Sequence, residues 1–188
     1  MQIVRPYLYQ MNSNFQLKKL SVSDATSLSR IALRAYDDHY LNLWFDNGDW
    51  YKSKSFTIEA LAAELSNTNS LFYIVYDHNE EAGFLKLNIN EALEPYTAND
   101  SMELERIYLT ANASGKGIGS FLMHHVFETA KQLNKKIIWL KVMDSSTGPI
   151  SFYQKKGFEI CGTTQLSFEL MKPELRGMYI MKKSLITE

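Results

Sequence analysis

The hydrophobic period changes partway along the chain. Ala25, Leu28, Ile31, Ala32 and Ala35 recur at helical spacing across residues 23–36, which predicts an amphipathic helix behind a Ser23 cap. Ile58, Leu61, Ala62 and Leu65 repeat the pattern after Thr57, with Asn67 near the end, and predict a second helix. Between the two, DDHYLNLWFDNGDWYKSKSF is aromatic and polar with weak periodicity, as in a short helix or a long loop. LFYIVYD (71–77), AGFLKLNIN (82–90) and MELERIYLT (102–110) then read as strands, the first two joined by the polar turn DHNEE. Ile118, Phe121, Leu122, Val126, Thr129, Ala130 and Leu133 mark a long helix. KIIWLKVM (136–143) has the unbroken apolar character of a strand buried on both faces. Pro149 suits the first turn of a further helix and Gly157 its C-terminal end, while FEICGTTQ and GMYIMKKSL supply two last strands.

The resulting order is two helices, three strands, helix, strand, helix and two strands, a mixed α/β sheet with its crossovers late in the chain. Neither a repeat nor a low-complexity tract interrupts the 188 residues, so one domain over 1–188 is expected. Hydrophobic residues at 45% give ample material for a core, and a net charge of −1 offers no electrostatic case for nucleic acid or a membrane surface. The single cysteine, Cys161, excludes an internal disulfide and a multi-cysteine metal site, and is expected to pack in its strand. His124 and His125 stand without a cysteine at ligand spacing, and no metal is expected. The opening MQIVRPYLYQMNSNFQ lacks the apolar run of a signal peptide, and no run reaches the ~18 apolar residues of a membrane span. A soluble, cytoplasmic protein is the expectation.

One stretch asks for a chemical reason. ASGKGIGS (113–120) places Gly115, Gly117 and Gly119 between a strand and a helix, where glycine packs nothing and costs backbone entropy. A Walker loop requires a terminal Gly-Lys-Ser/Thr, which is absent, and the dinucleotide fingerprint has different spacing and an earlier position. Two readings stay open: main-chain N–H groups opening onto a helix N-terminus to bind a pyrophosphate, or a flexible turn.

The flanking residues add to this. LERIYL before the loop, the helix after it, and FYQKKGF (152–158) together resemble the GNAT superfamily of acetyl-CoA-dependent N-acetyltransferases. That family's loop reads Gln/Arg-x-x-Gly-x-Gly/Ala; here Gly117 and Gly119 end a loop containing Ser114, Gly115, Lys116, Ile118 and Ser120. LAAELSN, FYIVY, GFLKLNINEA, ELERIYL, GKGIGSFLM, IIWLKVM and IMKKSL are most similar to the PaiA-type branch of spermidine/spermine N-acetyltransferases, across roughly residues 57–185. Ser114 departs from the loop pattern, Ser146 stands where the branch has an asparagine, and TQLSFELMKPELRG agrees poorly with it.

The resemblance implies a GNAT fold whose fourth and fifth strands splay apart to admit acetyl-CoA. It implies that residues 114–120 hold the pyrophosphate, that Ser146 lies by the pantetheine arm, and that the backbone around Ile107, Tyr108 and Leu109 pairs with that arm. Tyr153 matches the family tyrosine whose hydroxyl lies near the sulfur, and would protonate the departing thiolate; spacing alone would make it a core aromatic. Glu103 matches the glutamate of ELxRIY, a base for the acceptor ammonium, with a solvated strand charge as the alternative. Strict alternation puts Glu103 and Glu105 on one face with Ile107 and Leu109, and Leu104, Arg106 and Tyr108 on the other. Lys155 and Lys156 read as solvated, with the 3′-phosphate of the cofactor as the other option.

Tyr36, Tyr40, Trp44, Phe45 and Trp50, among Asp37, Asp38, Asp46 and Asp49, have the chemistry either to hold a cationic amine or to pack the first helices. The implied activity is acetyl transfer to a primary amine, a polyamine by the branch resemblance. An inactive acyl-CoA-sensing module, a protein N-terminus and another small amine are the alternatives. The expected partner is a small-molecule amine rather than nucleic acid or membrane, and a homodimer is left open.

Overall fold

A computed structural model describes residues 14–185. The reading of the opening stretch therefore lies mostly outside the described residues. Seven strands form one sheet in the order β1-β2-β3-β4-β5-β7-β6. They are β1 (Phe15–Lys19), β2 (Ser70–Asp77), β3 (Glu80–Asn88), β4 (Ser101–Leu109), β5 (Ile137–Met143), β6 (Glu159–Gln165) and β7 (Gly177–Ser184). Only β4 and β5 run parallel; every other pair is antiparallel. The helices are α1 (Ala25–Asp37), α2 (Asp49–Ser55), α3 (Ile58–Ser66), α4 (Ile118–Gln132) and α5 (Thr147–Lys155). Side chains of α1–α3 build one core on one face of the sheet, around Leu28, Phe56, Phe72 and Phe84. Those of α4, with Phe152 and Tyr153 of α5, build the other, around Leu85, Leu104, Leu122 and Leu140.

Local chemistry explains most boundaries. Thr57 Oγ1 accepts from the Ala60 N–H at 3.1 Å and starts α3. His78 and Asn79 take φ of 51° and 70° in the two-residue turn joining β2 to β3, the left-handed pair that matches hairpin twist. Gly157, with φ 87°, follows the end of α5.

Three expectations need correction. The first described element is a strand, β1, not a helix: Phe15 and Leu17 alternate for one turn of the pleat before Lys18 and Lys19, too short a signal to read, and the lysines suit an outer edge. The cap of α1 is not Ser23. A 3-10 turn over Val22–Asp24 precedes the helix, and the Asp24 carboxylate accepts from the Ser21 N–H at 2.9 Å. Cys161 is exposed on β6 rather than packed.

A fourth correction bears on the site. β4 carries a β-bulge: Leu104 faces Leu87 and Arg106 faces Lys86, so Glu105 is the extra residue. One inserted residue shifts the pleat's phase, and every side chain beyond it changes face relative to strict alternation. Met102, Leu104, Ile107 and Leu109 consequently share the α4 face, while Tyr108 joins the core beneath α1–α3. Ile107 and Leu109 do not lie with Glu103.

Candidate active site

β4 and β5 are paired only from Ser101↔Ile137 to Leu104↔Leu140. β4 continues to Leu109 and β5 to Met143, with β5 held on its other side by β7 as far as Met143↔Met178. Past Leu104 the facing edges of the two strands are thus unpaired, and the sheet opens into a wedge. Unpaired main-chain groups on such an edge can receive an extended chain of amides as an added strand would be received. Ile107 and Leu109 send side chains into the α4 core and Tyr108 stacks among Tyr40 (4.9 Å) and Phe84 (5.3 Å), which leaves the backbone of this segment as its free chemistry.

The glycine loop lies where β4 ends. Asp38 Oδ2 accepts from the Ala111 N–H at 2.7 Å and anchors the loop's first turn. Gly115 and Gly117 take φ of 78° and 90°, and Gly117 is the N-cap residue of α4. Among the described residues, the N–H groups from Gly115 to Ser120 have no protein acceptor, and the first turn of α4 carries no acidic residue. A row of unanswered donors on the positive end of a helix fits a pyrophosphate. A Cβ on Gly119 would stand 3.2 Å from the tip of the Phe152 ring, so a larger residue here would press on α5. Lys116 reaches Asp77 at 3.2 Å. Lys156 donates from Nζ to Ser120 Oγ at 2.9 Å in an exposed contact beside the same donors. Ser114 is exposed, and Ser146 is the half-buried N-cap residue of α5 with no side-chain cap bond.

Glu103 lies on β4 next to the wedge, in the middle of the sheet and nearly buried at 6% exposure. Its carboxylate accepts from Asn88 Nδ2 at 2.8 Å and stands 3.5 Å from Lys141 Nζ. Burial lifts it above the usual carboxylate range, against the pull of Asn88 and Lys141 and with a push from Glu105 and Glu91. A buried carboxylate with raised proton affinity suits a general base. Tyr153 is half-buried on α5 against Phe152 and Phe158 at 5.3 and 5.8 Å. Burial pushes its phenol well up, with Tyr40 adding to the shift, and so keeps it protonated.

The acidic-aromatic segment is packing. Trp44 Nε1 donates to the Tyr36 hydroxyl at 2.6 Å, and Tyr51 stacks on both rings. All four aspartates are engaged: Asp37 and Asp49 hold Lys52, Asp38 anchors Ala111, and Asp46 accepts from the Gly48 and Trp50 N–H groups. No row of spare carboxylates lines a groove here. The segment is instead bonded to residues 166–176, through Phe45 N to Leu170 O at 3.0 Å and Lys172 N to Leu43 O at 2.9 Å. Phe45, Trp50 and Leu170 stay exposed on that ledge.

The ion network behind Glu103 was not foreseen. Lys86, Arg106, Glu64 and Glu105 join one another across α3, β3 and β4. Its signal was present in GFLKLN, where Lys86 and Asn88 are polar two residues apart within an otherwise apolar strand. His125 packs edge-on against Tyr73 at 4.6 Å, and among the described residues no three His, Cys, Asp or Glu side chains gather where a metal could bind.

Known proteins share this arrangement. The chain is 28% identical over 107 residues to an uncharacterized N-acetyltransferase in the pepI 3′ region of Lactobacillus delbrueckii subsp. lactis, a match spanning 57% of this chain and 62% of that protein. Among solved structures, the PaiA N-acetyltransferase of Thermoplasma acidophilum in complex with coenzyme A superposes with a TM-score of 0.71 at 23% identity, over 90% of this chain and 98% of the other. The ribosomal-protein-alanine N-acetyltransferase of Brucella melitensis does so with a TM-score of 0.69 at 20% identity, over 90% and 99%. Residues 29–158, which run from α1 through the wedge and the glycine loop to the end of the Tyr153 helix, match the acetyltransferase (GNAT) family, and the chain belongs to it.

Proposed function

We propose that this protein transfers the acetyl group of acetyl-CoA to a primary amine. The observation that carries the reading is a coincidence of place: the unpaired half of β4 begins just past the buried Glu103 and leads into the loop whose free N–H groups open onto the start of α4. Bound acetyl-CoA supplies an activated acyl group as a thioester. The N–H groups of Gly115–Ser120 would hold its pyrophosphate, with Lys156 close by, and the β4 backbone around Ile107–Leu109 would hold its pantetheine arm. A main-chain N–H on this edge also serves as donor to the thioester oxygen.

An amine arrives protonated at neutral pH and is not a nucleophile in that form. Glu103 takes that proton, directly or through water, so that the nitrogen lone pair can bond to the acetyl carbon as the carbon–sulfur bond breaks. Tyr153 holds the proton that the leaving sulfur needs. Spermidine and spermine are the first acceptors to try, on the PaiA resemblance alone, since the carboxylates expected to hold them are engaged elsewhere. The test is release of free CoA from acetyl-CoA with a panel containing both polyamines, a monoamine and a peptide with a free N-terminus. Turnover of any amine upholds acetyl transfer. Tight acetyl-CoA binding with no turnover on the whole panel overturns it in favour of an acyl-CoA-binding module.

A further inference from the structure

Glu103 and Glu105, two residues apart on β4 with Glu105 the bulge residue, reach the same partner. Asn88 Nδ2 donates to Glu103 Oε2 at 2.8 Å and to Glu105 Oε2 at 2.7 Å. On the other side of the amide, Ser70 Oγ donates to Asn88 Oδ1 at 2.9 Å. The carboxylates can only accept, so they fix which end of the amide faces them, and the serine hydroxyl meets the oxygen left at the other end. Both N–H bonds of Asn88 are then committed, one to each glutamate.

We propose that Asn88 is a positioning residue for Glu103, its amide tying the carboxylate that takes the acceptor's proton to a neighbouring carboxylate that cannot take it. The asymmetry comes from the other neighbours. Glu105 is held by Lys86 and Arg106, and these cations, the latter at 3.0 Å, are themselves shared with Glu64 of α3. Among the described residues, Glu103 faces Asn88, Lys141 of β5 and, farther off, the carboxylates of Glu105 and Glu91. Burial would raise both acids, but for Glu105 the two cations outweigh it and hold the group below the ordinary range. Two carboxylates pushed apart in this way take different roles, one a fixed anion and the other a proton acceptor. The inference rests on the proposed function for its catalytic meaning, while the geometry stands without it.

The experiment follows side-chain carboxyl carbons by NMR in protein labelled at glutamate, with Glu103→Gln and Glu105→Gln assigning the two signals. In wild type, Glu105 titrates first as pH rises and Glu103 after it. In Asn88→Leu, Glu103 loses a donor that Lys141 alone does not replace, and its titration moves up by roughly one pH unit, whereas Glu105 moves less. The acid limb of kcat/KM moves up with Glu103 for whichever amine is turned over. Ser70→Ala, which removes the bond supporting the amide at its oxygen without emptying the site, produces a smaller shift in the same direction and serves if Asn88→Leu does not fold. An unmoved Glu103 signal, or equal movement of both glutamates, overturns the proposal. If wild type turns over no amine, the proposed function falls, and the titration still decides whether Asn88 sets Glu103.

Discussion

Replacing Gly117 by valine tests the pyrophosphate cradle, and its outcome can be worked from two features of the loop. Gly117 takes φ of 90°, and a Cβ placed there meets nothing within 4 Å. Space is therefore not the obstacle; conformation is. An L-residue in left-handed backbone costs ~1–2 kcal/mol, and a β-branched one stands at the upper end. The loop is exposed and its N–H groups bond to no protein acceptor among the described residues, so the free variant sheds the strain by leaving positive φ. Binding then has to restore the left-handed residue, and the strain reappears as lost affinity. By that reasoning the variant's melting temperature stays near wild type while CoA binding weakens by at least about fivefold to thirtyfold. Calorimetric titration with CoA and a thermal melt measure the two quantities. Unchanged affinity would refute the cradle. A large fall in melting temperature would refute the claim that the loop relaxes freely.

Three further outcomes follow from the geometry. Tyr153→Phe lowers kcat by about a hundredfold with little change in KM for acetyl-CoA, and equal kcat values would reduce Tyr153 to a packing ring. In wild type kcat/KM rises with pH as Glu103 ionises, above the ordinary 4.5 because burial raises it, and Glu103→Gln loses that limb together with most of the rate. The same shift makes Glu103 oppose folding as pH rises through its window, since the folded state binds the proton more tightly there; a Gln variant whose stability fell relative to wild type over that rise would contradict the sign. Asp24→Ala costs about 1 kcal/mol of stability at neutral pH by loss of the cap. The Lys18 and Ser21 hydrogen bonds hold this carboxyl at about 2 against an ordinary 3.8, so the deficit of the variant shrinks as pH falls from 3.8 toward 2, as urea melts at several pH values would show.

The glycine loop and the strand before it were legible because their constraints are local. Positive φ at Gly115 and Gly117 and the start of α4 at Ile118 follow from residue type and its immediate neighbours. Thr57 and Gly157 were readable as helix ends for the same reason. β1 was not, because two apolar residues before a pair of lysines become a strand only when β2 supplies the partner edge. The aspartates of the 36–50 segment show the limit of composition. Composition left them open between a cation site and helix packing; each bonds to a backbone N–H or to Lys52, and such partners leave no periodic mark in a sequence.

The bulge at Glu105 shows most clearly why site chemistry resists reading from one strand. Alternation through ELERIYL would put Glu103, Glu105, Ile107 and Leu109 on one face, which would bury two carboxylates against the apolar α4 core or turn two apolar side chains away from it. One extra residue resolves that conflict: Leu104, Ile107 and Leu109 all stay in the α4 core, and both glutamates reach the opposite face, where Asn88 and Lys86 of β3 meet them. The residues that require the bulge are thus on the neighbouring strand. The bulge falls immediately after Leu104, where pairing with β5 also stops. A kink that re-aims two carboxylates and a strand edge that opens toward a ligand therefore share a single position. This is why the proposed base and the backbone that would hold the acyl donor can be brought together without any loop moving to join them.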